Sequence, residues 1–545
     1  MRRRFWIPPV LILLALAASL LRPGAFDLAA TSPAYTATLA SAQDAAGRGV
    51  ATFAFGDWGG LSADTLRTSA WPWKLATAAL ALQAAGGDPV AAGQVHIPDL
   101  YRRYGFHWPD SIGNWPQGQP LPPLTSPLGL NTGLASRTWP PIAVSIGNIG
   151  CAACHASVMY DATGRPDTSR VWLGAPNGSI NLAAWTRDLY SALRDQTADA
   201  DAVLATVSVL FPDTGWAERL TLRLAILPQT RAAIAARADI GGLLPFRASL
   251  AGATNGLDSL RNRLGLIPPG TRVTESVFNS VPDLGDRLLR TRLLNSGTYA
   301  IPGSPGAEAM SPADITPDHR RALAGIVAFF TVPSMGLTVD VARAHIPDAV
   351  AVTDWLAVYR PQAYPGRIAE AALPQGRAIY ARACAACHGS YDASLTTPRL
   401  TVFPNWEGDV GTDPERARLL TAQIADRVNE VFGDQITART GTTYAAPPLT
   451  GLWSSAPYLH NGSVPTLWHL MRPDARPAWF RVGGHRLDMA RVGIDLAPDA
   501  TYIPWSEPAE VDTTAFGLTN VGHRIGFADL TEDEKAALLE YLKLL

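Results

Sequence analysis

The chain has 545 residues, 45 of them basic and 47 acidic, for a formal net charge of −2. No long basic stretch follows the first four residues, so nucleic acid is excluded as an expected partner. Charged residues are only 17%, with 44 prolines and 47 glycines, which predicts two to four domains of helices joined by long ordered loops.

In chain order, Met1-Arg2-Arg3-Arg4 and the apolar run over 5–21 have the form of a bacterial export signal, with small residues Gly24, Ala25, Ala29 and Ala30 after it. The run is shorter than the ~20 residues of a spanning helix. Residues 1–30 therefore read as a signal peptide or as an uncleaved N-terminal membrane anchor. Either reading places the remainder outside the cytoplasm, periplasmic or secreted. Residues 31–95 carry no motif. From 96 to 139 the chain is dense in Trp, Pro and Gly and reads as irregular structure that wraps something. Cys151-Ala-Ala-Cys154-His155 follows at once. Apolar spacing then predicts helices around 181–195, 200–211 and 216–238. Thr316-Pro317 starts another, with Thr316 as N-cap and Pro317 at the first helical position. Prolines 361 and 365 with Gly366 mark a linker over 360–367. A helix over about 368–383 leads into Cys384-Ala-Ala-Cys387-His388. Thr531-Glu532-Asp533-Glu534 is a capping box that opens a closing helix.

The two Cys-x-x-Cys-His motifs carry the chemistry. Each has the form of a c-type haem attachment site, in which two thiols form thioethers with the haem vinyl groups and the histidine ligates the iron. On a helix, positions i, i+3 and i+4 share one face, so Cys151, Cys154 and His155 can meet one macrocycle, and so can Cys384, Cys387 and His388. A zinc ribbon also wants two Cys-x-x-Cys pairs, but about 15–20 residues apart. These pairs are separated by most of the chain, and they use all four cysteines. The expected cofactors are two covalently attached haem c groups, with iron on His155 and His388.

The sixth iron ligand separates an electron carrier from a site open to O2 or peroxide. Eight histidines lie outside the motifs: His96, His107, His319, His345, His460, His469, His485 and His523. His523 stands out, because it sits in Asn520-Val521-Gly522-His523-Arg524-Ile525-Gly526 just before the closing helix, between glycines that permit close backbone approach. Met159, Met335, Met471 and Met489 are further candidates, with packing the favoured reading for Met335. No residue stands out as sixth ligand of the first haem.

The stretch Gly451-Leu-Trp453-Ser-Ser-Ala456-Pro457-Tyr458-Leu459-His460-Asn461-Gly462-Ser463-Val464-Pro465-Thr466-Leu467, the second haem motif before it and the Asn-x-Gly-His after it resemble the di-haem c-type cytochromes of the bacterial rubber oxygenase type, relatives of the di-haem cytochrome c peroxidases. The resemblance covers about 366–545 and, more loosely, 97–190, including Leu173-Gly174-Ala175-Pro176-Asn177. It implies a mainly α fold: two cytochrome c-like haem domains in contact, with long irregular loops and few strands. Those domains are expected in the N-terminal region 31–359 and in 368–545. The resemblance also implies that His523 is the distal ligand of the second haem, opposite His388. The first haem, on His155, would be the one that meets an oxidant. Trp453, Tyr458 and His460 read either as residues between the haems or, preferably, as packing at a haem edge.

The expected function is an exported haem-dependent redox protein with electron transfer between two haems and O2 or peroxide chemistry at the first, dioxygenase or cytochrome c peroxidase-like. A pure electron-transfer cytochrome with both haems six-coordinate is the alternative. The expected partner is a redox protein or a small-molecule oxidant or substrate. The sequence singles out no catalytic residue.

Overall fold

The computed structural model describes residues 28–62, 70–236, 247–268, 270–304, 306 and 308–545. All but the last three residues of the expected export segment lie outside these. Among the described residues no helix is long and apolar enough to cross a membrane.

Helices α1 (Pro33–Ser41) and α2 (Ala45–Phe55) open the described chain, each with a side-chain cap. Ser32 accepts from the Tyr35 N–H, and Asp44 from the Gly47 N–H. Helix α3 (Trp73–Ala84) is rich in Ala and Leu and is buried from Trp73 to Leu82, save Lys74. Strands β1 (Leu130–Arg137) and β2 (Ile142–Ile149) form an antiparallel hairpin with Leu130 opposite Ile149 and Arg137 opposite Ile142. A single helical turn, α4 (Cys151–Cys154), follows it. A second hairpin comes next, β3 (Ala156–Tyr160) with β4 (Pro166–Leu173). The first motif is therefore one turn of helix clamped between two hairpins.

Helices α5 (Leu182–Gln196) and α6 (Ala200–Leu210) pack on α3 through Trp185, Leu189, Val203 and Val207. The helix expected over 216–238 is observed as Trp216–Thr221, a π-helical stretch Leu222–Ile226 and Leu227–Ala235. Helix α7 (Pro317–Met335) starts where Thr316 accepts from the His319 N–H at 3.2 Å. Helix α8 (Ile346–Val358) lies along α2, with Trp355 packed 4.5 Å from Phe53.

In the C-terminal part, α9 (Leu373–Ala383) runs directly into α10 (Ala385–His388). Helix α11 (Ala422–Phe432) packs its apolar face with Phe329 of α7. The closing helix α12 (Glu532–Leu542) begins at the Thr531–Glu534 capping box and crosses α9. At that crossing a Cβ on Gly376 would lie 2.1 Å from the Ala537 carbonyl oxygen, so only glycine admits the approach.

The expectation of a mainly α fold with few strands is corrected. The structure is 39% helix and 15% strand, a mixed α/β fold whose described strands form eight sheets of two or three strands. The physical cause lies in the segments between helices. Residues 130–149 hold a full hairpin of alternating and β-branched residues. Beyond the second hairpin and the four-residue pairing of Trp479–Val482 with Ala509–Asp512, most strands pair over two residues only, too short to leave a period of two in the sequence.

Candidate haem sites

Both motif histidines are oriented by the same device. The Nδ1–H of His155 donates to the Pro282 carbonyl at 3.2 Å, and that of His388 to the Pro447 carbonyl at 2.8 Å. A carbonyl only accepts, so each bond fixes the proton on Nδ1 and leaves Nε2 as the ligating nitrogen. Burial lowers both histidines, His155 to about 4, which keeps the imidazoles neutral as a metal ligand requires. Nothing in the sequence marks Pro282 and Pro447, because they act through main-chain oxygens.

Around the first motif the turn is held by its backbone. The Asn177 N–H donates to the Cys154 carbonyl (2.8 Å), its side-chain amide to the Ala153 carbonyl (3.0 Å), and the Gly174 N–H to the His155 carbonyl (2.8 Å). Gly174 and Asn177 belong to the segment singled out after the first motif. Cys151 packs beside an apolar cluster that holds Phe53, Trp58, Trp355 and Met335. Among the described residues the ring paired with His155 is Phe53, with centroids 6.5 Å apart.

At the second motif the paired ring is an imidazole. His523 lies 6.1 Å from His388, centroid to centroid, with the planes 38° apart. Metal–imidazole bonds are about 2 Å and a ring nitrogen sits about 1 Å from its ring centre, so two imidazoles on one metal have centres about 6 Å apart. His523 Nδ1 is buried with no hydrogen-bond partner, and burial lowers this histidine to about 4. The structure thus places the His523 ring beside that of His388. The adjacent glycine serves a different neighbour from the one expected: a Cβ on Gly522 would lie 2.2 Å from the backbone of Gly411, so Gly522 seats the loop against another loop.

That loop is braced by side chains that sequence reasoning did not assign. Asn461 donates to the Gly517 and Thr519 carbonyls (3.3 and 3.1 Å), and Ser463 to Thr519 (3.1 Å). Arg476 donates to the carbonyls of Asn520 and Gly522, and Asp413 accepts from the Thr519 N–H and hydroxyl. Trp453 and Tyr458 have packing roles: the Trp453 indole N–H donates to the Gln362 carbonyl, and the Tyr458 hydroxyl is fully buried among main-chain carbonyls.

The remaining candidates are engaged elsewhere. His319 is half-buried and bonds the Leu288 carbonyl at 2.7 Å. His96 and His345 bond Asp99 and Asp348, His469 bonds Thr466, and His485 accepts from the Gly483 N–H. His107 is buried 5.2 Å from Trp505. Met335 ends α7 packed inside the apolar cluster, and Met471 and Met489 pack in the cluster around the second motif. His460 stacks on Tyr444 at 4.2 Å.

The donor set fits haem c better than a thiolate metal site. Burial pushes Cys151, Cys154 and Cys384 up to about 12, so at neutral pH they are thiols rather than the thiolates that a metal site binds. Among the described residues no three of His, Cys, Asp and Glu gather as a metal cluster.

Residues 443–481 match the family model described as RoxA-like, cytochrome c-like. Residues 443–481 are thus a RoxA-like, cytochrome c-like stretch, which supports a haem c redox protein. The matched stretch of this cytochrome contains Pro447, which orients His388, and Asn461, Ser463 and Arg476, which brace the His523 loop. Two proteins of Sinorhizobium fredii (strain NBRC 101917 / NGR234) are similar over parts of the chain. The uncharacterized protein y4iM is 31% identical over 30% of this chain and 42% of its own length. The uncharacterized protein y4iJ is 38% identical over 19% of this chain and 18% of its own length. The similarity thus spans less than half of either relative.

Proposed function

We propose that this cytochrome is an exported di-haem protein in which each Cys-x-x-Cys-His motif holds one haem c through two thioether bonds, and in which the two centres do different work. The observation that carries this reading is the ring paired with each motif histidine, an imidazole at one and a phenyl at the other. Haem supplies a redox-active iron whose sixth position selects electron transfer or the binding of O2 or peroxide.

His388 and His523 would hold the second haem, one from each face. The braced 517–523 loop keeps His523 in place through a change of oxidation state, so this centre stores and relays electrons. His155 holds the first haem from one face only. Phe53, 3% exposed, has no ligand atom to offer and excludes water from the far side. O2 or peroxide chemistry is assigned to this centre, with electrons passing between the two. The basic start and apolar run of the first residues support export to the periplasm or beyond, with the signal cleaved or kept as an anchor. A redox protein or a small-molecule substrate completes the circuit.

The test is ligand stoichiometry on the purified holoprotein. Pyridine haemochrome and iron assays are expected to give two haems per chain, and the reduced protein is expected to bind one CO. Two haems that bind no CO or cyanide would reduce the function to electron transfer alone.

A further inference from the structure

Arg416 is a buried cation without an anion. It lies in the helical turn Glu415–Arg418, is 2% exposed, and among the described residues makes no ion pair. Its Nε donates to Asn279 Oδ1 at 3.1 Å, while Nη1 is buried with no partner at all. A buried charge without a counter-charge costs several kcal/mol, so such a group implies an anion in its surroundings.

Two carboxylates act on the cluster, Asp258 on Arg416 and Asp413 on His460, but neither closes an ion pair with Arg416, and Asp413 is bonded to the Thr519 N–H and hydroxyl. The charge of Arg416 helps to lower His460, which burial already holds at about 4, so His460 is neutral. The Nε2 of His460 is likewise buried and unpartnered. Tyr299 and Tyr444 also lie within the field of Arg416, and burial raises both, so both remain phenols. Asp258 is 0% exposed and pairs with Arg261 at 3.1 Å, beyond ion-pair distance of Arg416.

The place of the cluster indicates which anion it meets. Asn279, bonded to Arg416, is three residues before Pro282, the carbonyl that orients His155. Tyr444, stacked on His460, is three residues before Pro447, the carbonyl that orients His388. The Ser280 N–H and hydroxyl donate to the His460 carbonyl, so His460 bridges the 279–282 loop by hydrogen bonds and the 444–447 loop by its stacking on Tyr444. Arg416 and His460 therefore sit where the proximal loops of the two candidate centres meet. A haem carries two propionate carboxylates, and a guanidinium is the side chain suited to a carboxylate out of water.

We propose that Arg416, with His460 Nε2 as second donor, binds a haem propionate at the junction of the two proximal loops and so sets the potential of that haem. The inference rests on the di-haem reading above. Neutralising the propionate favours the reduced iron, and removing the neutralising charge favours the oxidised one.

The experiment is spectroelectrochemical titration of both haems in the full-length holoprotein between about pH 5 and 8, for wild type, Arg416→Gln and Arg416→Lys. Arg416→Gln is expected to lower the midpoint potential of one haem and to make it pH-dependent, because the unpaired propionate now takes up a proton on reduction. Arg416→Lys is expected to restore most of the wild-type value. Unchanged potentials at both haems in Arg416→Gln would overturn the assignment. Should Arg416→Gln fail to mature, the same titration of His460→Phe decides, since it keeps a ring on Tyr444 and removes the second donor: a lowered midpoint potential at one haem is expected, and unchanged potentials at both would overturn the proposal. A wild type with fewer than two haems would instead defeat the di-haem reading.

Discussion

Replacing His523 removes one imidazole from the second centre, and the choice of replacement separates ligand loss from backbone strain. His523 has φ +50°, in the left-handed region. Alanine there keeps the strain of about 1–2 kcal/mol that a Cβ meets in that region, whereas glycine does not. Both variants lose the ring 6.1 Å from His388 and its packing on Phe527 at 5.4 Å. Both are therefore expected to convert one haem of two from low to high spin, and His523→Gly should be about 1 kcal/mol more stable than His523→Ala. The loop stays anchored by the His523 N–H to Val410 (2.7 Å) and by Arg476, so the cavity is preformed and added imidazole should restore the low-spin spectrum. The assay is absorption and EPR of the oxidised variants, with urea unfolding for stability. An unchanged spin state in both variants would refute the ligand assignment.

Phe53→His is expected to place an imidazole on the open side of the first haem, turning its spectrum low-spin and abolishing CO binding; unaltered CO binding would separate Phe53 from the distal side. Asn461→Ala removes two hydrogen bonds to the 517–523 loop and should cost about 1–2 kcal/mol in urea unfolding, with faster cyanide entry at the second haem. Asp283, 1% exposed, is pushed up to about 7 by burial, against which the Gly285 N–H and nearby Arg287 act only in part. Its folded value lies above its unfolded value, so its contribution is fully present below about pH 4 and is lost as pH rises through 7, by at most about 4 kcal/mol at 1.36 kcal/mol per pH unit. Asp283→Asn can keep an acceptor for the Tyr359 hydroxyl, and its melting temperature should gain on the wild type from pH 5 to 8; a constant difference over that range would contradict the argument.

The two Cys-x-x-Cys-His motifs stand out in the sequence because haem attachment demands fixed residue types at fixed spacing, whereas His523 was singled out by its flanking glycines and by the family resemblance. The caps at Thr316 and Thr531 were legible because capping is local. The hairpins flanking the first motif were not: their signal sits beside a Trp- and Pro-rich segment whose turns dominate the pattern, and most other strands are two residues long. Pro282 and Pro447 left no trace because they act through carbonyls, which every residue has. Phe53 lies about 100 residues before the histidine it faces, in a helix whose apolar residues read as ordinary core. Arg416 was equally silent, since the lack of an ion-pair partner among the described residues exists only in three dimensions.

The most direct measurement is the low-temperature EPR spectrum of the oxidised, full-length holoprotein with spin quantitation. One low-spin signal of bis-imidazole type and one high-spin signal, or one converted to low spin by cyanide, in equal amounts, is the predicted result. Two low-spin haems that ignore cyanide would contradict the division of labour between the His155 and His388 centres.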